Sequence, residues 1–189
     1  MRIETTDIAG AKLLSPTMHA DARGSFVEIW NRQRADAAGI ADDMLQDNLV
    51  TSRYRGTLRG LHFQRPPSAQ AKLVQVLHGA IVDFAVDIRH GSPSFGRSIS
   101  VRLEAGDGRQ LYVPIGCAHG YCTLEDDTTV LYKVGGAYYA PDCEMGIDVD
   151  DPALRLDLPF AADELIRNER DRQFPPLSEL PEVFRWDGG

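Results

Sequence analysis

Short stretches of alternating apolar and polar residues follow one another along most of this chain. Between residues 45 and 135 they recur at a spacing of roughly ten residues. Alternation is typical of a strand with one buried face, because successive side chains point to opposite sides. The sequence predicts strands at 25–30, 46–52, 56–64, 69–77, 80–88, 97–103, 110–114, 120–124 and 128–134. No helical spacer between them is long enough for a parallel βαβ unit, so we expect an all-β sandwich or barrel.

The two ends of the chain have a different pattern. Residues 1–14 alternate weakly, and residues 19–24 are polar and turn-like. A short helix is predicted near residues 33–44, where an alanine-rich stretch ends at a glycine. The tail, 136–189, is acidic and punctuated by prolines, which predicts loops with at most short helices. We interpret residues 1–189 as one domain.

Length and charge narrow the range of functions. A chain of 189 residues is long enough to bury a sizeable core. Its net charge of −8 argues against a nucleic-acid-binding protein, which normally carries a basic stripe. A small anionic ligand stays open, because a local arginine cluster can be positive inside an acidic protein.

Other features favour a cytoplasmic protein without a membrane partner. The sequence has no run of about 18 apolar residues, and its first residues lack the apolar core of a signal peptide. Cys117, Cys122 and Cys143 are an odd number without a CxxC pair. They are predicted to be reduced, buried thiols rather than disulfides or zinc ligands.

The most informative stretch is the predicted strand from Gly56 to Gln64. Alternation would place Leu58, Gly60 and His62 on one face, with Arg59 and Leu61 on the other. A histidine late in a strand, close to an arginine, suits a pocket that binds an anion and moves a proton.

Downstream residues supply the other groups that proton transfer requires. Histidine can take a proton near neutral pH. A lysine such as Lys72 stabilises a developing enolate, and a tyrosine such as Tyr132 can return the proton from the opposite face. These side-chain types fit a proton-transfer site. Buried tyrosines and histidines are also commonly structural, and spacing alone does not decide between a catalytic and a structural role.

Nucleotide and metal motifs are missing from the sequence. It contains neither GxxxxGK[ST] nor GxGxxG between a strand and a helix. Arginines 23 and 59, with Lys72, are better candidates for diphosphate contacts, because a guanidinium fork matches phosphate oxygens. His62 and His119 have no aspartate or glutamate nearby in the sequence that could complete a set of metal ligands, so we expect no metal site. Phe26, Glu28 and Trp30 share one face of a predicted strand, either as an edge ion pair or as a ligand contact.

Taken together, these residues resemble the dTDP-4-dehydrorhamnose 3,5-epimerases. The match runs from about residue 20 to residue 175, in order and at family-like spacing. Its pieces are Asp21-Ala-Arg-Gly-Ser-Phe-Val-Glu28, Gln46-Asp-Asn48, Gly56 to Gln64, Ala71-Lys-Leu-Val74, Val86 to Gly96, Leu111 to Gly120, Leu131-Tyr-Lys133 and Asp150-Asp-Pro152.

The resemblance implies a cupin-type double-stranded β-helix, or jelly roll, that acts as a homodimer without a metal or redox cofactor. The substrate would be dTDP-4-dehydro-6-deoxy-D-glucose. Carried over by motif, His62 is the base, Lys72 stabilises the charge on the keto oxygen, Tyr132 is the acid and Asp171 supports the histidine. Nucleotide or sugar contacts would come from Arg23, Phe26, Glu28, Gln46, Asn48, Arg59, His119, Tyr138, Glu144 and Arg170. The family exchanges its N-terminal strands, residues 1–30 here, so that Arg23 and Glu28 reach the partner's site, and residues 136–189 close over it.

Two departures from the family pattern leave alternatives open. Arg170 replaces a lysine, and the segments before Pro152 and Pro159 lack tryptophans expected in the family. Relatives of this kind include enzymes that invert carbon 3 or carbon 5 alone. A sugar-nucleotide-binding jelly roll without activity and a metal-dependent cupin oxygenase are the rivals from other classes.

Overall fold

The computed structural model describes residues 1–188, and strands dominate it. They are β1 (Arg2–Thr5), β2 (Lys12–Ser15), β3 (Met18–Asp21), β4 (Gly24–Val27), β5 (Met44–Ser52), β6 (Leu58–Gln64), β7 (Ala71–His78), β8 (Ala80–Asp87), β9 (Ser98–Glu104), β10 (Gln110–Val113), β11 (Cys117–Thr123), β12 (Thr128–Gly135) and β13 (Glu144–Gly146). One α-helix, α1, spans Arg32–Ala37. The 3₁₀ turns within these residues are Pro141–Cys143, Pro152–Leu154, Asp171–Gln173 and Leu177–Glu179.

The strands form two facing antiparallel sheets and a separate hairpin. The first sheet has the order β1-β2-β10-β7-β12-β5, the second has the order β13-β6-β11-β8-β9, and β3 pairs with β4. Strands that are neighbours in a sheet are often distant in the sequence, as expected when a strand sandwich closes on itself. The predicted all-β jelly roll is confirmed.

Strand β8 explains why the second sheet is buried on both sides. Its side chains alternate between two cores, because successive residues of a strand face opposite ways. Ile81 and Ala85 pack between the two sheets. Phe84 and Val86 pack outward against tail residues that include Leu154. The loop-rich tail therefore forms a third layer over the second sheet.

A buried ion pair fixes both ends of the chain to this layer. The Asp87 carboxylate accepts hydrogen bonds from Arg89 and from the Ser92 hydroxyl, at 2.8 and 2.6 Å. The Arg89 guanidinium also donates to the carbonyl of Ala9 at 2.7 Å and lies 4.4 Å from the ring centroid of Trp186. The network therefore holds the tail on the sheet.

Helix α1 covers only part of the outer face of the first sheet. It begins at Asn31, whose side chain caps the backbone N–H of Arg34. Ala35 packs against Leu73 on the outer face of β7. No helix within residues 1–188 is long and apolar enough to cross a membrane.

The N-terminal region differs from the sequence prediction in two places. Residues 19–24 are not simply a turn, because β3 includes His19 to Asp21 and pairs with β4. The prediction of a strand through Trp30 was also wrong, since β4 ends at Val27. Glu28 follows that strand and pairs with Arg34 of α1, at 3.3 Å.

Candidate active site

A bulge in β6 decides which of its side chains face the space between the sheets. His62 lies opposite His119 of β11, whereas Arg59 lies opposite Tyr121, so three steps along β6 match two along β11. One extra residue reverses the alternation on one side of a bulge. Arg59 and His62 therefore line the same cavity, and the prediction that they face opposite ways was wrong.

The cavity between the sheets has two lobes of about 500 Å³ each. Both lobes are lined by His62 of the second sheet and by Lys72 and Tyr132 of the first. The first lobe continues towards Arg59, His119, Tyr121, Arg170 and Asp171. The second continues towards Gln46, Asn48, Gln64, Tyr139 and Glu144. A ring bound between the lobes would have an imidazole on one side and a phenol on the other.

Asp171 orients the ring of His62. Its carboxylate is buried and lies 2.9 Å from Nε2 of the histidine. It also accepts a hydrogen bond from the backbone N–H of Gly60, at 3.1 Å. Burial alone would raise the pKa of Asp171, but the hydrogen bonds from His62 and Gly60 outweigh it and hold the pKa below its usual value. The charged carboxylate keeps a proton on Nε2, which leaves Nδ1 as the basic nitrogen.

A second charged group holds the tail beside the histidine. Arg170 donates to both carboxylate oxygens of Glu144, at 2.7 and 3.3 Å. The Tyr139 hydroxyl donates to Glu144 at 2.8 Å. Burial raises the pKa of Glu144, but the hydrogen bonds from Tyr139 and Arg170 outweigh burial. The pKa of Glu144 is therefore below its usual value. The Arg170 guanidinium also lies 3.5 Å from Nε2 of His62, so it adds positive charge next to the imidazole.

Lys72 projects from β7 into both lobes and is half-buried. Burial lowers the pKa of its ammonium group to about 8, and the charges of Asp83 and Glu144 only partly oppose this shift. A cation in such a poorly solvated wall interacts strongly with a negative charge that develops nearby. The cost is a less stable fold at neutral pH.

We therefore expect Lys72→Met to stabilise the protein. Below about pH 8 the lysine is charged in both states and the desolvation penalty is complete. Between about pH 8 and pH 10.5, Lys72 holds its proton in the unfolded state but not in the folded state. The stability of the wild-type protein therefore rises with pH in this range. The variant should gain about 1–3 kcal/mol at pH 7, and this advantage should shrink as pH approaches 10.

Thermal unfolding at pH 7 and pH 10 measures this difference. Lys133→Met is the matched control, because Lys133 occupies the next position of β12 after Tyr132 and pairs with Asp47 on the outer face at 2.8 Å. It should gain nothing at pH 7. A Lys72→Met protein that is less stable than wild type at pH 7 would contradict the expectation.

Both histidines of the cavity have carboxylate partners, contrary to the sequence interpretation. His119 is buried, and its Nε2 lies 2.7 Å from Oδ1 of Asp83 in β8. Burial lowers the pKa of His119 more than Asp83 raises it, so the ring is neutral. Each carboxylate is distant from its histidine in the sequence, which is why local spacing missed it. Within residues 1–188, no group of three or more histidine, cysteine or acidic side chains is placed to hold a metal ion.

The predicted site residues fall into two groups. One group lines the cavity and consists of His62, Lys72, Tyr132, Asp171, Gln46, Asn48, Arg59, His119, Glu144 and Arg170. The amide of Gln46 donates to Asn48 at 2.8 Å, which fixes both on the wall of the second lobe. The other group lies elsewhere in the chain and consists of Arg23, Phe26, Glu28 and Tyr138.

The residues outside the cavity have identifiable surroundings. Arg23 pairs with Asp21 at 2.6 Å in the exposed β3–β4 hairpin, and Phe26 in the same hairpin is 68% exposed. Tyr138 is 66% exposed and lines neither lobe, whereas its neighbour Tyr139 lines the second lobe. Side chains in a loop do not alternate regularly between two faces, so the sequence could not show which of the two tyrosines lines the cavity.

Sequence reasoning also missed several residues of the first lobe. Asp83, Tyr121, Arg167 and Asn168 all lie at or next to its wall. Asp83 could have been recognised in the sequence, because a carboxylate inside the apolar run of β8 needs a buried partner. Arg167 could not, since it lies in the irregular tail, where no pattern predicts which side chains face the cavity.

Comparisons with known proteins identify the family. The family model for dTDP-4-dehydrorhamnose 3,5-epimerase matches residues 5–179. A dTDP-4-dehydrorhamnose 3,5-epimerase from Sinorhizobium fredii is 41% identical over 98% of this chain and 94% of its own.

Solved structures agree with that assignment. A dTDP-6-deoxy-D-glucose-3,5-epimerase from Legionella pneumophila, in complex with dTDP-4-keto-L-rhamnose, has a TM-score of 0.92 at 36% identity and 98% coverage of both chains. A double mutant of a 3′-monoepimerase from Streptomyces bikiniensis, in complex with dTDP, has a TM-score of 0.85 at 30% identity, over 96% of this chain and 92% of its own. With this fold, this cavity and these relatives, the chain belongs to the dTDP-4-dehydrorhamnose 3,5-epimerase family, and the resemblance noted in the sequence is confirmed.

Proposed function

We propose that this protein is an isomerase that converts dTDP-4-dehydro-6-deoxy-D-glucose to dTDP-4-dehydro-L-rhamnose by inverting carbons 3 and 5. The observation that carries the proposal is that His62 and Tyr132 line the same cavity from opposing sheets. A sugar ring between them has one proton acceptor on one face and one proton donor on the other. Inversion requires that arrangement, because the proton must leave and return on opposite faces.

His62 is the base in this mechanism. Carbons 3 and 5 flank the 4-keto group, so their protons are acidic because the resulting charge delocalises onto the keto oxygen. The basic nitrogen of His62 removes one of these protons, and Asp171 stabilises the imidazolium ion that forms. The C–H electrons become the enolate double bond.

Lys72 and Tyr132 complete each inversion. The Lys72 ammonium, on the facing sheet, stabilises the negative enolate oxygen. Tyr132 then donates its phenolic proton to the carbon from the other face, and the enolate electrons form the new C–H bond. Each inversion leaves His62 as the imidazolium and Tyr132 as the phenolate.

The nucleotide would be held mainly by residues around the two lobes. Arg59 forms no ion pair within residues 1–188 and can contact the diphosphate, as its fork suits phosphate oxygens. Gln46, Asn48, His119, Glu144 and Arg170 supply further polar contacts to the sugar and nucleotide. The tail that carries Arg170 and Asp171 closes one side of the cavity.

We also propose that the enzyme is a homodimer in which the N-terminal strands, residues 1–30, are exchanged and reach the partner's cavity. The outer face of β5 and β7 exposes Leu49 and Leu77, at 63% and 49%, and such a patch favours a protein interface. The exposed hairpin, with the residue that follows it, would bring Arg23, Phe26 and Glu28 to the site that their own chain does not reach. The three free, buried cysteines suit a reducing compartment, which supports a cytoplasmic location.

The interface has a direct test. Leu77→Glu places a charge on the exposed end of β7, outside both lobes, and should convert the protein to monomers, measured by light scattering, with a parallel loss of activity. Ser100→Glu, on the exposed edge strand β9 of the other sheet, should remain dimeric. A Leu77→Glu dimer with full activity would refute the proposed interface.

The reaction is tested by incubating the protein with the dTDP-linked substrate in deuterium oxide and following carbons 3 and 5 by NMR. Two deuterated, inverted positions are expected. Exchange at one carbon alone would favour an enzyme that inverts a single centre. The structural similarity to a 3′-monoepimerase is the reason to consider that candidate. The GDP-linked sugar serves as the control for the nucleotide.

A further inference from the structure

The Tyr121 hydroxyl and Oδ2 of Asp83 are buried beside the first lobe, and neither has a hydrogen-bond partner of good geometry among residues 1–188. Ser52 lies close enough to Tyr121 to lower the pKa of its phenol, but burial outweighs this effect. Tyr121 is 4% exposed and Asp83 is fully buried. An unpaired buried polar group is costly, and here one atom can donate while the other can only accept. The two atoms are therefore complementary, yet they do not bond to each other.

The strand register places these two residues side by side. Tyr121 of β11 lies directly opposite Asp83 of β8, and both face the space between the sheets. Side chains in such a pair have Cβ atoms about 4.5–5.5 Å apart. A water molecule that bridges a hydroxyl donor and a carboxylate acceptor satisfies both groups in a space of this kind.

The same register connects this pair to the catalytic groups. Oδ1 of Asp83 is bonded to His119, and His119 lies opposite His62 in the β6–β11 pairing. On the other side, Tyr121 and Tyr132 line the same lobe, and Tyr132 packs against the apolar cluster that contains Tyr121. Burial raises the pKa of Tyr121 to about 12, so its hydroxyl keeps its proton at neutral pH.

The double inversion creates a need for such a connection, if the proposed function is correct. After the first inversion His62 carries an extra proton and Tyr132 lacks one. A second inversion of the same bound sugar requires both groups to be reset. The net requirement is the movement of one proton from His62 to Tyr132.

We propose that Tyr121 and Asp83 hold a water molecule that returns a proton to Tyr132 between the two inversions. The Tyr121 O–H bond breaks as the Tyr132 O–H bond forms. A water O–H bond then breaks to restore the Tyr121 hydroxyl. The imidazolium ion of His62 loses its proton to solvent in the cavity, and a proton from the same solvent restores the water. The net change is one proton moved from His62 to Tyr132, while Tyr121, Asp83 and the water end as they began, and no oxidant or cofactor takes part.

Tyr121→Phe tests the path, because it removes one oxygen and keeps the ring. Under single-turnover conditions the ratio of singly to doubly inverted product should rise about tenfold or more. Asp83→Asn should change this ratio in the same direction. The second inversion in wild type should show a curved dependence of rate on the deuterium fraction of the solvent, since several protons move together. In Tyr121→Phe this dependence should become linear.

Tyr112→Phe is the matched control, because Tyr112 is also buried but its hydroxyl bonds to Asp42 on the outer side of the first sheet. It should leave the product ratio unchanged. An unchanged ratio in Tyr121→Phe, or an equal slowing of both inversions, would overturn the proposed path. Neither result would affect the proposed function, which fails only if the wild-type protein inverts neither carbon.

Discussion

Replacing His62 by alanine should abolish both inversion and solvent exchange at carbons 3 and 5. The rate should fall by at least about a thousandfold, since His62 is the basic group that shares both lobes of the cavity with Lys72 and Tyr132. The fold should survive, because the side chain is 22% exposed and its removal leaves no large apolar void. Proton NMR in deuterium oxide measures exchange directly, and substrate binding can be followed separately by calorimetry.

Two further variants make this result specific. His78→Ala removes an exposed histidine at the end of β7, away from the cavity, and should retain full activity. Asp171→Asn keeps the size of the side chain but removes the charge that fixes the ring and stabilises the imidazolium. Its rate should fall by about a hundredfold or more. Persistent exchange in His62→Ala would show that another group is the base.

Part of this site could be predicted from alternation alone. Lys72 and Tyr132 lie on regular strands with one face towards the core, so their common direction follows from a period of two. His62 is also on a strand, but the bulge beside it shifts its register relative to Arg59. No local property of the sequence predicts the extra residue of the bulge, because the bulge depends on how β6 pairs with β11.

The remaining parts of the site depend on contacts between distant segments. Asp171 reaches His62 from the irregular tail, across more than a hundred residues. Asp83 reaches His119 across two neighbouring strands. The family resemblance supplied Asp171 but not Asp83, because a buried carboxylate in an apolar strand has many possible partners until the fold is known. The hairpin at His19 to Asp21 was missed for another reason, since its side chains are exposed on both faces and show no apolar alternation.

Tyr132→Phe should separate proton removal from inversion. Without the phenolic proton, His62 can still remove a proton and return a deuteron to the same face of the sugar. We therefore expect deuterium exchange with retention of configuration, while inversion falls by about a hundredfold to a thousandfold. The ring still packs against the cluster between the sheets, so the fold should be unaffected.

The comparison of exchange with inversion in one sample makes this test independent of enzyme concentration. Tyr54→Phe is the matched control, because Tyr54 is 55% exposed and lies outside both lobes. It should invert at the wild-type rate. If Tyr132→Phe loses exchange and inversion together, the phenol is needed for proton removal itself, and the assignment of base and acid to opposite faces is wrong. If it keeps both, the proton on that face comes from elsewhere, and Tyr121, the other tyrosine of the first lobe, becomes the first group to examine.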